Sequence, residues 1–260
     1  RLIIAGEMTI GDFVAVNGYL LLVIGPIMGI GSLASVLQKG LASLDRIYDF
    51  LQLPEEQLSD SKDELPLGPI SIQHLSFTYP EAKAPVLTDV SLDVAPGAFI
   101  GIVGGPGSGK SSIFKLLLRL HHTPKGTIFV DGRDVTDVPL DVLRRSIAYV
   151  PADAFLLGTT VADNIAFGEG SDHTLTVEEA AQRASVTGDL KERLKGSAAR
   201  LKEGGTDLSG GQKQRVNLAR GFYKNAPYLL LDDSISALDT ESAARIIDLL
   251  RSGRTQTLLF

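Results

Sequence analysis

The chain has 260 residues, 25 basic and 31 acidic side chains, a formal net charge of −6 and no cysteine. That length fits one large or two modest domains with a sizeable core. The acidic balance argues against nucleic acid as a main partner, and without cysteine there is no disulfide, thiol nucleophile or cysteine-based metal site.

From Phe13 to Gln38 no residue carries a formal charge, a run of 26 positions. As a helix it would be about 39 Å long, more than a bilayer's hydrocarbon core requires. Its length argues against a buried helix of a soluble domain, and no basic segment precedes it as in a signal peptide. Gly25 and Gly29 form a small-xxx-small pair and Pro26 sits mid-run. Both features are tolerated in membrane helices, where neighbours pack closely and satisfy freed carbonyls. Lys39 and Arg46 are the first basic residues beyond the run, consistent with a cytoplasmic exit that Asp45 dilutes. The pattern predicts one spanning helix that continues as VLQKGLASLDRIYDFLQL and stops at Pro54. Residues 1–53 are therefore expected to be the end of a membrane domain, with the lipid bilayer as one partner and further helices needed beside it.

The acidic stretch PEEQLSDSKDELP, residues 54–66, reads as a linker. Residues 67–260 then change to a soluble α/β pattern. ISIQHLSFTY (70–79) and VLTDVSLDV (86–94) alternate apolar and polar residues like half-buried strands. AFIGIV (98–103) is continuously apolar, as expected of a central strand covered on both faces. TIFVDGRDV reads as a strand and an Asp-Gly turn, and helical patterns follow in KSSIFKLLLRL, VEEAAQRAS, QKQRVNLARGFYKN and ESAARIIDLLRS. The expected fold class is α/β, with a mixed sheet whose parallel core has an antiparallel start.

Three motifs carry chemistry. GGPGSGKS matches G-x-x-x-x-G-K-[ST] with Gly104, Gly105, Pro106, Gly107, Ser108, Gly109, Lys110 and Ser111, between a predicted strand and a predicted helix. Glycines let backbone N–H groups wrap phosphates, and the helix N-terminus adds its positive end. Lys110 would reach the β- and γ-phosphates of a nucleotide, Ser111 would coordinate Mg²⁺, and Ser112 follows in the same contact set. YLLLD then ends a buried strand in Asp232, a carboxylate for the Mg²⁺ or, more plainly, a strand-end turn residue. Asp233 would stand near the γ-phosphate, where an attacking water must be oriented and relieved of a proton. LSGGQKQR (208–215) opens a helix with Ser209, Gly210, Gly211 and Gln212, which suits an anion or an ordinary cap.

In this order and spacing the motifs resemble those of ATP-binding cassette (ABC) transporters, and the resemblance covers essentially the whole chain. Tyr79 sits where the family stacks an aromatic ring on adenine, and SALD (236–239) matches its dimer-contacting loop. GEMTIGDFVAVNGYL, the long helix and RIYDFL look like the last membrane helix of the exporter branch. The resemblance implies a P-loop NTPase fold with an antiparallel N-terminal subdomain and a helical subdomain. It also implies a head-to-tail dimer holding two ATP with Mg²⁺, each ATP lying under the other protomer's LSGGQ. Binding and hydrolysis would then switch the membrane helices between two states. The implied setting is the cell (inner or cytoplasmic) membrane with the nucleotide domain in the cytoplasm. The transported substrate is not legible.

Three departures stand out. The position after the Mg²⁺ carboxylate is Asp233 where the family has Glu. The loop usually reading Y-V-P-Q is Tyr149-Val150-Pro151-Ala152, and Leu201-Lys202-Glu203-Gly204-Gly205 only partly matches the segment before the signature. The family's switch histidine would lie beyond Phe260. An Asp carboxylate falls about 1.5 Å short of a Glu carboxylate, and about 1 Å of misplacement can cost roughly 10²-fold. Basicity differs by only about 0.4 pKa units, so geometry decides. The expectation is a site that binds MgATP and hydrolyses it poorly. An impaired half of a heterodimeric exporter, whose intact LSGGQ serves a partner, is favoured over a slow homodimer using Asp233 as base. A soluble P-loop ATPase would share the motifs, but the 13–38 run and the acidic balance argue against it. A non-enzymatic nucleotide-gated scaffold would be separated by turnover.

Overall fold

Thr9 opens the first helix: its Oγ1 accepts the Asp12 N–H at 3.1 Å, and the Asp12 carboxylate accepts the Thr9 N–H at 2.9 Å. The helix, α1 (Ile10–Leu51), runs unbroken for 42 residues with Pro26 inside it. Pro26 lacks the N–H for one i→i−4 bond, a local loss that leaves the rest of the ladder in place. At 1.5 Å per residue α1 is about 63 Å long. No residue of α1 is buried, and Leu22 and Met28 are each 72% exposed. From Phe13 to Gln38 the helix carries no charged side chain, so this part presents no charged face to water. By length and composition it can cross a membrane.

The computed structural model describes residues 9–52, 65–167, 175–186, 188, 190, 200–252 and 256–259. The predicted stop at Pro54 and all of the predicted linker except Leu65 and Pro66 lie outside the described residues, as does Phe260. Contacts divide the chain into Arg1–Glu56 and Gln57–Phe260.

The second unit holds two sheets. In the antiparallel one, β1 (Ile70–Phe77) lies between β2 (Leu87–Val94) and β4 (Ile128–Val130), and β5 (Arg133–Asp134) closes the edge. The core residues of β1 are Ile70 and Ile72, then Leu75 and Phe77, so strict alternation slips by one. His74, at φ +48, absorbs the extra residue as a bulge, and both apolar pairs reach the same core. Asp131 and Gly132, at φ +51 and +72, make the two-residue turn into β5 that the sequence predicts.

The parallel sheet runs in the order β3 (Phe99–Gly101), β8 (Gln256–Leu259), β7 (Tyr228–Leu231), β6 (Ile147–Val150). This is the mixed architecture expected, a parallel core with an antiparallel start. One expectation fails locally. The AFIGIV strand is short, its Phe99 and Ile100 are only half-buried, and Val103 is 94% exposed. Among the described residues β3 ends the sheet with β8 alone beside it, so its other edge has no cover.

Among the described residues two apolar clusters fill this unit. One joins β1, β2 and β4 to α2 (Lys110–Leu117) and α3 (Leu140–Arg145) through Leu75, Phe114, Leu117, Val130 and Leu143. The other packs α4 (Val161–Ala166), α5 (Val177–Arg183) and α6 (Gly210–Lys224) through Val161, Ile165, Ala181, Val216 and Leu218. Tyr228 is fully buried, donates to the Pro66 carbonyl at 2.8 Å and accepts the Gly68 N–H at 2.8 Å. It thereby ties the segment entering β1 to β7, the strand that carries the site.

Candidate functional site

β6 and β7 run side by side with Val150 opposite Leu231, and the Asp232 N–H extends the ladder to the Val150 carbonyl at 2.9 Å. That places Asp232 at the carboxyl edge of a parallel sheet, where open α/β sheets bind ligands. Its side chain is 5% exposed, yet both oxygens are engaged. Ser111 Oγ donates to Oδ1 at 2.8 Å, and Tyr149 Oη donates to Oδ2 at 2.9 Å. Burial first, then the bond to this carboxylate, pushes the Tyr149 phenol above its ordinary value, so it stays a proton donor at neutral pH.

The phosphate loop, residues 104–111, joins β3 to α2. Gly107 and Gly109 have φ +75 and +90, which only glycine adopts without strain. A Cβ on Gly109 would stand 2.7 Å from Leu87 Cδ2 and 2.9 Å from the Val86 carbonyl, so this glycine is also required for space. Lys110 curls over the loop, donating to the Gly104 and Gly105 carbonyls at 2.7 and 2.9 Å. Beside it lies a cavity of about 330 Å³ lined by Tyr79, Val86, Gly107, Lys110, Ser111 and Lys115, among others. Pro106 and Ser108 are exposed on the loop, whereas Ser112 is buried and bonded to Tyr79 Oη at 2.9 Å. The Tyr79 ring is held edge-on by Phe77 and His121, at centroid distances of 4.9 and 5.0 Å.

Asp233 is exposed with φ +48, a region that Asp tolerates better than most side chains. Ser209 caps α6: its Oγ accepts the Gln212 N–H at 3.2 Å, and Gln212 Oε1 accepts the Ser209 N–H at 3.0 Å. Ser209 and Gly210 are exposed, and a Cβ on Gly211 would stand 3.1 Å from the Ala237 carbonyl of the SALD turn. The structure thus brings Lys110, Ser111, Asp232 and Tyr79 around one loop. Among the described residues, the cavity there is lined by none of Ser209, Gly210, Gly211 and Gln212.

Sequence reasoning missed two sets of residues. Gln214 Nε2 donates to the Ala152 carbonyl at 2.7 Å and Asn217 Nδ2 to the Pro151 carbonyl at 3.1 Å, pinning the loop after β6 to α6. The signal was two amides on the apolar face of a helix, next to Val216 and Leu218. Tyr149 was read only as part of a loop motif, although it is the sole polar side chain in the strand IAYV.

Among the described residues no group of three His, Asp or Glu side chains could cage a metal. Ser111 and Asp232 are hard oxygen donors, which fits Mg²⁺ completed by water and phosphate oxygens.

The family model for ABC transporters matches residues 87–236. A Bacillus subtilis (strain 168) protein described as "Probable multidrug resistance ABC transporter ATP-binding/permease protein YheI" is 40% identical over 97% of this chain and 44% of its own length. An "ATP-dependent lipid A-core flippase" of Pseudomonas putida is 38% identical over 99% of this chain and 44% of its own. Among solved structures, a bacterial Atm1-family ABC exporter with ATP bound has a TM-score of 0.72 and 32% identity. The match covers 97% of this chain and 45% of that one. The chain thus spans under half the length of the relatives it matches.

Proposed function

Because the chain belongs to the ABC transporter family, we propose that it forms the end of the membrane domain and the nucleotide domain of an exporter half. In this reading residues 1–53 are the membrane part and residues 67–260 the ATP-binding part. ATP binding and hydrolysis in the cytoplasm are coupled to substrate export across the cell membrane. The observation that carries the reading is the convergence of Lys110, Ser111 and Asp232 on one glycine loop beside a cavity faced by Tyr79.

Each residue has a role that its placement supports. Lys110 exchanges the Gly104 and Gly105 carbonyls for phosphate oxygens, a stronger charge-assisted bond. N–H groups at the start of α2 face the same anion. Tyr79 offers a ring to the base. Ser111 and Asp232 would hold Mg²⁺, which neutralises phosphate charge when bound. Calorimetry on the full chain in detergent should find MgATP affinity between micromolar and millimolar, about −4 to −8 kcal/mol. Lys110→Ala should abolish it. No ATP binding to a folded wild-type chain would reject the reading.

Such halves act as dimers, and we take the partner to be a different exporter half. Ser209 and its glycines form an intact, exposed helix start. This chain's own positions for activating water carry the short Asp233 and the side-chain-poor Ala152. One protomer therefore holds ATP and lends its signature to a competent site on the other. A slow homodimer using Asp233 as base is the competing reading.

A further inference from the structure

We propose that Tyr149 is a positioning residue for Asp232, fixing its carboxylate in the orientation that a divalent cation shared with Ser111 requires. The inference rests on reading the site as an MgATP site and deepens it. Tyr149 lies opposite Leu230, and Asp232 follows two residues later on the same face of β7. Phe114 of α2 covers that face, its ring 6.2 Å from the Tyr149 ring at 75°. Strand register therefore sets the phenol, and its hydroxyl meets Oδ2 at 2.9 Å.

The division between the two oxygens is what gives the bond a function. Ser111 engages Oδ1 and Tyr149 engages Oδ2, so donors from two elements fix the carboxylate plane. Ser111 and the Asp232 carboxylate would hold the cation, while Tyr149 keeps its bond to Oδ2. Without that bond, a carboxylate only 5% exposed loses a hydrogen-bond donor and is free to turn away from Ser111. Outer hydrogen bonds to metal-binding groups of this kind typically account for about 10- to 100-fold in metal affinity. A merely structural tie between β6 and the site would instead affect stability and leave the cation response unchanged.

The test measures ATP affinity of the full chain in detergent, in EDTA and across a Mg²⁺ series. Tyr149→Phe keeps the ring and removes the hydroxyl. Its affinity in EDTA should stay within about twofold of wild type, while the Mg²⁺ concentration giving half of the enhancement should rise about tenfold. Phe114→Leu disturbs the packing, keeps the hydroxyl and should leave that midpoint unchanged. Mg²⁺-enhanced binding with the same midpoint in wild type and Tyr149→Phe overturns the role while sparing the site. An equal rise in Phe114→Leu assigns the effect to packing and also overturns it. A wild-type chain that binds no ATP removes both the role and the site reading.

Discussion

Asp134 is 9% exposed and gathers the Gly126 N–H, the Thr136 N–H at 2.8 Å and the Thr136 hydroxyl at 2.7 Å. Burial alone would raise its pKa, but the bonds from Thr136 and Gly126, helped by the Lys125 charge, hold it below the ordinary carboxylate value. A folded pKa below the unfolded one contributes stability that is present above the unfolded value. That stability is lost as pH falls through the folded value. Asp134→Asn should therefore melt below wild type at pH 7, and the gap should narrow once pH drops below about 4. Melting curves from pH 7 to pH 3 check this, and a constant gap would reject it. Asp233 poses a different problem at the same scale. Its backbone is left-handed, so Asp233→Glu would gain reach at the expense of a conformation that Asp holds more easily.

The loop between β6 and α4 is organised by one buried amide. Asn164, fully buried, accepts the Leu157 N–H at 2.8 Å and shares its two amide hydrogens among the Leu157 carbonyl, Thr159 Oγ1 and the Thr160 carbonyl at 3.1, 3.1 and 3.0 Å. Arg220 of α6 joins it, donating to the Asn164 carbonyl and side-chain oxygens at 2.8 and 3.2 Å. Removing the amide strands several buried groups at once, so Asn164→Ala should destabilise the nucleotide domain by about 2–4 kcal/mol in denaturant unfolding. A change under about 0.5 kcal/mol would show that the loop is held elsewhere. At this scale the sequence was readable where the signal is local. Ser209, read as a possible cap, does cap its helix with the reciprocal partner Gln212 three residues on. The turn at Asp131-Gly132 needs only its two residues. What escaped depends on neighbours distant in sequence. The partial exposure of AFIGIV goes with the place of β3 at the end of its sheet among the described residues, and the Gln214 and Asn217 bonds depend on a loop about sixty residues away.

For the whole molecule, the family was legible because its motifs need fixed residue types in fixed context, and the structure brings the phosphate loop and Asp232 together. The role of Tyr149 was not, since a hydroxyl in a strand gains meaning only from the strand beside it. The proposed division of labour between two protomers lies one level higher, and it would make two substitutions unequal. If this chain lends its signature to a different partner, Ser209→Arg places a cation and bulk at the exposed start of α6, where the partner's γ-phosphate would sit. In the assembled transporter it should then suppress nearly all ATPase activity. Asp233→Ala should cost much less, because the base that matters belongs to the partner. Removing a working base would instead lower the rate by about 10²- to 10⁴-fold. Steady-state ATPase assays of the two variants in reconstituted complexes separate the readings. A loss of that size from Asp233→Ala would mean that this chain hydrolyses its own ATP, and the asymmetric pairing would have to be given up for the homodimer.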